Sequence, residues 1–413
     1  MKVAIVVQAF PITHTFILNE VVALLRQGVD VSILAIKRSR QPIVHQDIHR
    51  YDLASRALQM NAFPASADTP VQWREHVASL APPAGPRWRR ILAGALGPPH
   101  PTLPLGAVAQ HLVREGVDVI HGTFGNGPAT AAMVLSELSG IPFTFETHAY
   151  DLFVNFPFAK EKIEKASVIQ TESGYHREFL ETCGAPREKV KIIHLSPNRQ
   201  MLDELPPVRR RDDLVVSICR LHPIKGLVHA LRAVARVTRV FPGLEYAIVG
   251  TGPLQQELLA ESRRLGIERH VRFTGGMSNE DACALLREAA VFLLPSVVAP
   301  DGDRDGTPTA IAEAMQLEVP VISSRLSGIP ELVEDGVTGL LTAPGDVDQL
   351  SAALTRLLGD AESRRAMGRA GRQKVLQEFN VDLSAGALLA CWRQTTDAGR
   401  SAARTPVSAV TGL

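Results

Sequence analysis

The sequence is short of cysteine, of net charge and of long apolar runs, and each shortage removes a class of protein. The four cysteines, Cys183, Cys219, Cys283 and Cys391, stand singly with no CxxC pair. That spacing signals neither a zinc ribbon nor a disulfide framework and suits a reducing cytosol. Lys and Arg total 44 against 43 Asp and Glu, so no field of one sign points to nucleic acid. No apolar segment reaches membrane-spanning length. The N-terminal "MKVAIVVQAF" is too short an apolar run for a leader and reads as a first strand,. A cytoplasmic protein is expected, with peripheral contact at the inner face of the plasma membrane as the one membrane role left open.

What is present is a rhythm. At 413 residues the chain exceeds what one core normally serves,. Short β-branched runs at 3–7, 31–36, 117–122, 142–148, 167–171 and 189–195 read as buried parallel strands. Helical patterns separate them, such as "FILNEVVALLRQG" at 16–28, stopped by Gly28. The pattern restarts at 214–220, 244–250, 271–276, 290–296 and 319–325. Alternation of this kind predicts an α/β fold with two doubly wound, Rossmann-like domains facing a central cleft. The expected divisions are a first domain at 1–198, a linker at 199–213 and a second domain at 214–375. A helix at 376–396 should pack back on the first domain, and the small, polar tail at 397–413 should be disordered,. The Pro-rich stretch 82–101, with Trp88 and Ile91, reads as a surface excursion, and a membrane or acceptor contact is its alternative,.

The chemistry should lie beyond the carboxyl ends of the strands. "DGDRDGTPTAIAEA" at 301–314 begins like an EF-hand, but its twelfth residue is Ala312 and Glu313 comes one step late,. No metal site is expected there or elsewhere. Thr307 instead reads as an N-cap and Pro308 as a first helical residue. The helix start, with donors from Gly306, Thr307 and Thr309, then offers an anion site. Arg220 and Lys225 follow a strand on one loop and suit a diphosphate,. Gly250, Gly252 and Gly275 mark tight or close-approaching turns, with Met277 just beyond,. Asp305 and Glu313, acceptor-only groups, suit sugar and ribose hydroxyls.

These residues resemble a family. "DGTPTAIAEAMQLEVPVISSRLSGIPELVEDGVTGLL" is similar to the signature of retaining glycosyltransferases of the GT4 type, which have the GT-B fold. The family's two glutamates, with seven residues between them, fall at Asp305 and Glu313. Its G-x-x-E-x-x-x-x-G-x-x-G run falls at Gly328, Glu331, Gly336 and Gly339, and its R-x-x-x-x-K-G loop at Arg220, Lys225 and Gly226. "FPITHTFILNE" and "HGTFGNGPATAAMVLSELSGIPFTFETHAYDLF" resemble bacterial surface-polysaccharide transferases, in which the histidine corresponding to His148 is at the active site. Thr13, His14, His121 and Asp151 are candidates for the acceptor side.

The resemblance implies transfer of a sugar from a nucleotide diphosphate to an acceptor hydroxyl, with retention, in polysaccharide or glycoconjugate synthesis. The acceptor would be a sugar, a lipid-linked oligosaccharide or a small molecule. It implies no cofactor beyond the nucleotide sugar as co-substrate. Arg220, Lys225 and the Thr307 helix end would stabilise the leaving diphosphate, Asp305 would touch the sugar, Glu313 the ribose, and His148 would align the reacting centre. Three departures stand out: Asp305 replaces a glutamate, Phe10-Pro11-Ile12-Thr13 replaces a glycine pair, and "HLSPN" replaces a glycine and an acid. Alternatives are a GT-B epimerase or phosphorylase, or a catalytically silent GT-B partner subunit.

Overall fold

The computed structural model describes residues 1–12, 14–39, 45–60 and 105–404, with side chains to residue 397. Thr13 and the 82–101 stretch lie outside the described residues. The first sheet holds β1 (Lys2–Phe10), β2 (Asp30–Arg38), β3 (Ala57–Gln59), β4 (Val119–Gly122), β5 (Phe143–Thr147), β6 (Val168–Thr171) and β7 (Val190–Ile192). All pair parallel, in the order β3-β2-β1-β4-β5-β6-β7. The second holds β8 (Arg211–Ile218), β9 (Glu245–Val249), β10 (Val271–Gly275), β11 (Ala289–Leu294), β12 (Val321–Ser324) and β13 (Gly339–Thr342). It too is parallel, in the order β10-β9-β8-β11-β12-β13. Each order reverses direction once, between β1 and β4 and between β8 and β11. Parallel strands covered on both faces must be apolar throughout, and Val3–Val7 and Ala289–Leu294 are buried at every position.

Local signals explain the boundaries. The helix Thr15–Arg26 ends at Gln27, and Gly28 follows at φ 78°, as a terminating glycine should. Two strands escaped the sequence pattern. β3 is three residues long, and β13 begins at Gly339 inside a run of turn residues.

Several boundaries need correction. The segment 199–213 is not a plain linker. Asn198 accepts from the Met201 N–H and caps a helix, Arg199–Glu204, and β8 has begun by Arg211. Only 205–210 connects the two. The helix after 361 runs to Glu378, past the expected end at 375. The helix predicted at 376–396 instead spans Val381–Arg404, so helix replaces the predicted disorder over 397–404. Residues 405–413 lie outside the described part.

That last helix returns to the first domain, as expected. Its Trp392 is fully buried, lies edge-on to His121 at 5.4 Å, and donates its indole N–H to Thr144 Oγ1 at 3.1 Å. Val381, Ala385, Leu388 and Leu389 join the same core as Val3 and Leu18. Trp392→Ala should therefore cost about 3–5 kcal/mol, read as an earlier unfolding transition of the first domain in denaturant. A loss below ~1 kcal/mol would show that this helix is not a structural part of that domain.

Candidate functional site

The topological switch points place the loops that matter. On the second domain these are the loop after β8, which carries Arg220 and Lys225, and the loop after β11, which carries Asp303, Asp305 and Thr307. On the first they are the loops after β1 and β4, with His14 and Thr123–Gly127. His148 stands one residue past β5 and Glu172 one past β6.

Lys225 and Asp305 meet directly as a largely buried ion pair. Burial works against the Lys225 ammonium, but Asp305 outweighs it and holds the pKa above the usual lysine value. The other Asp305 oxygen accepts from Ser296 Oγ at 2.6 Å. This changes the division of roles drawn from the sequence. Asp305, expected on the sugar, is committed to Lys225, expected on the phosphate. Arg220, five residues earlier, is exposed. Asp301 accepts from the Asp303 N–H at 3.1 Å, and Asp303 accepts from the Arg304 N–H. The three alternating acids thus have separate partners.

The helix start is later than predicted. The helix spans Thr309–Gln316, with Pro308 in the capping position and no side-chain cap. Pro308 has ψ 120°, so the chain turns in one residue after the expected point. The Thr307 N–H is not a spare donor: it donates to Glu172 Oε1 of the other domain at 3.2 Å. The donors left here for an anion are Gly306 and Thr309. Gly306 is required by close approach, because a Cβ there would collide with the Glu172 carboxylate and come within 2.7 Å of His176 Cε1. Glu313 is buried and accepts from Asn279 Nδ2 at 3.3 Å. Burial pushes its carboxyl up to about 7.

Gly250 and Gly252 support the site rather than open it. A Cβ on Gly250 would collide with the Cys219 carbonyl, so its φ of 132° packs the loop after β9 onto the Arg220 loop. The Leu221 N–H donates to Thr251 O at 3.0 Å and seals that contact. Gly275 ends β10 and accepts from the Gly250 N–H at 2.8 Å; Met277 follows, half-buried.

His148 is held on every side. Nδ1 lies 3.5 Å from Glu172 Oε2 and Nε2 lies 3.6 Å from Glu146 Oε1. Phe16 and Phe124 pack against the ring at 4.7 and 4.9 Å. Burial opposes the imidazolium, but the two carboxylates prevail and raise the His148 pKa well above its ordinary value. Glu172 responds in kind: burial would raise it, yet His148, His176 and the Thr307 N–H bring it below the usual range. Asp151 caps the helix Ala149–Phe153 from within its first turn, accepting from the His148 N–H at 2.9 Å and also from the Gly125 N–H. Asp151 is thus a scaffold for the loop after β4. Lys162 completes that scaffold, donating to Gly125 O, Asn126 O and Pro157 O. His14 faces the cleft, lying edge-on to Phe124 at 5.0 Å. The ring is exposed, but the protein around it, with His148 and Arg220 near, lowers its pKa. His121 is fully buried under Trp392 and is not on the cleft surface, contrary to its assignment to the acceptor side.

Sequence reading missed Glu172, Glu146, Ser296 and Asn279. Two of these carried a signal: an acid inside the apolar strand "FTFET" and another directly after "SVIQT". Neither fits a buried strand unless partnered. Glu331, noted only as part of a run, accepts from the Gly174 and Tyr175 N–H groups at 2.9 and 3.1 Å across the domain junction. Arg304 donates to Tyr175 OH at 3.1 Å and stacks over Phe153.

If Glu172 holds His148 charged, Glu172→Gln should lower the His148 pKa by roughly one unit or more. NMR titration of the ring would show it. An unmoved titration would mean that Glu146 alone sets the charge.

Residues 203–374 match the family of glycosyl transferases group 1. The amylovoran biosynthesis glycosyltransferase AmsK of Erwinia amylovora is 30% identical over 401 residues, 93% of this chain and 97% of that protein. A putative colanic acid biosynthesis glycosyltransferase, WcaL of Escherichia coli, is 28% identical over 394 residues, 92% and 96% of the two chains. Among solved structures, HepE of Anabaena in complex with UDP and glucose superposes with TM-score 0.69 at 18% identity, covering 97% of this chain and 100% of that one. The fold is GT-B, and the chain belongs to the group 1 glycosyltransferases.

Proposed function

We propose that this glycosyltransferase moves a sugar from a nucleotide diphosphate to an acceptor hydroxyl with retention of configuration, in the assembly of a bacterial surface polysaccharide. The observation that carries the reading is the placement of Arg220 and the Lys225–Asp305 pair at the second domain's switch point, beside the start of the Thr309–Gln316 helix. Leaving-group stabilisation is the physical demand. As the glycosidic bond breaks, charge gathers on the diphosphate, and fixed cations with a helix N-terminus are suited to meet it. Lys225 arrives already held by Asp305, so little reorganisation is required. With those cations in place the transfer needs no catalytic metal and no cofactor.

Glu313, buried on the helix beside Asn279, suits the ribose hydroxyls. Both His148 ring nitrogens face carboxylates, so this residue acts as a fixed positive charge that shapes the cleft wall, not as a base. The departing phosphate can take the acceptor proton itself. The acceptor would enter along the first domain, past His14 and the loop after β4. Full-length likeness to AmsK and WcaL supports the polysaccharide assignment. The UDP and glucose bound by HepE support a nucleotide-sugar donor.

Calorimetry with a panel of nucleoside diphosphates and the matching nucleosides tests the reading. Arg220→Ala and Lys225→Ala should each weaken the preferred diphosphate by about 1.5–3 kcal/mol, and the nucleoside should bind as before. Equal losses for both ligands would remove these residues from the phosphate site.

A further inference from the structure

Behind His148, on the sheet face covered by Thr15–Arg26 and Val381–Arg404, three side chains of metal-ligand type converge. Glu20 comes from the first helix, His121 from β4 and Glu146 from β5. Among the described residues they form a grouping in which one ligand atom from each lies within 4.8 Å of the others. All three are buried, at 9%, 0% and 2% exposure.

A second observation marks the same spot. His121 Nε2 is buried without a hydrogen-bond partner, while Glu146 Oε1 has only its 3.6 Å ion-pair contact with His148 Nε2. Gln170 donates its amide to Glu20 Oε2 at 3.0 Å, and its own Oε1 is also unpartnered. Buried polar atoms are nearly always satisfied, and an unexplained set of them indicates a missing water or ion. The rest of His121 is arranged as a ligand's would be. Its Nδ1 lies 2.9 Å from Thr144 Oγ1, which also accepts from Trp392 Nε1. Fixing one ring nitrogen in this way orients the other.

We propose that Glu20, His121 and Glu146 form a buried zinc site that ties the first helix to β4 and β5 and holds Glu146 against His148. One imidazole with two carboxylates is a donor set for borderline divalent ions, zinc foremost. Calcium and magnesium prefer oxygen alone. The two carboxylates balance a divalent charge, so the site adds no net charge to the core. Its role is structural, and it is separate from the cations of the second domain that face the diphosphate.

The site is closed, so zinc must be captured as the chain folds. The test uses the full chain, produced in zinc-supplemented medium and dialysed against a chelator, with metal measured by plasma emission. About one zinc per chain is expected in the wild type. Glu20→Gln, nearly isosteric, and His121→Gln should lose it. Wild type refolded with zinc should melt at a higher temperature than wild type refolded with chelator, and Glu20→Gln should show no such difference. If the variants do not fold, wild type refolded with cobalt(II) should show the visible absorption of a nitrogen–oxygen site. The proposal is overturned if the wild type holds no metal by either route. It is equally overturned if both variants keep as much zinc as the wild type. The first result would mean that a proton or a water fills the space between Glu20 and Glu146; the second would place the zinc elsewhere.

Discussion

Charges buried at the carboxyl ends of two parallel sheets must find partners, and that constraint organises this molecule. An ion taken out of water without a counter-charge costs several kcal/mol. Lys225 meets Asp305, and His148 lies between Glu146 and Glu172. Each partner comes from a different strand or loop. The requirement to pair them therefore fixes how the loops after β8 and β11 sit together in one domain, and how β5 and β6 end in the other.

The same constraint joins the domains. Glu172 serves His148 on its own side and the Thr307 N–H on the other. Glu331 returns the favour, accepting from the first N–H groups of the Gly174–Thr182 helix. A carboxylate at a helix N-terminus is well placed, and here each such contact crosses the cleft. Gly306 and Gly328 permit it, since side chains there would run into Glu172 and Ser173 respectively. The cleft wall is thus built from both halves, and its charges are set by groups on both.

Much of this was legible in the sequence, for identifiable reasons. Parallel strands announce themselves as apolar runs, so eleven of the thirteen among the described residues were visible, and the misses were a three-residue edge strand and one that starts at a glycine. Arg220, Lys225 and Asp305 stood out as charges on loops that follow strands, and Glu313 as an acid on the helix after one of them. What could not be read was pairing. Nothing in the spacing of Lys225 and Asp305, eighty residues apart, says that they touch. The late helix start at Thr309 goes with a contact between domains, the Thr307 N–H donating to Glu172. His121 looked like a cleft residue because it ends a strand, but the returning Trp392 covers it.

In the proposed mechanism Asp305 acts on the nucleotide through Lys225. A double-mutant cycle tests it most directly, with calorimetric affinities for the preferred nucleoside diphosphate measured in wild type, Lys225→Met, Asp305→Asn and the double variant. Asp305→Asn should weaken binding by at least ~1 kcal/mol in the wild type and do almost nothing once Lys225 is gone. Losses that add to within about 0.3–0.5 kcal/mol would show two independent contacts and contradict the claim.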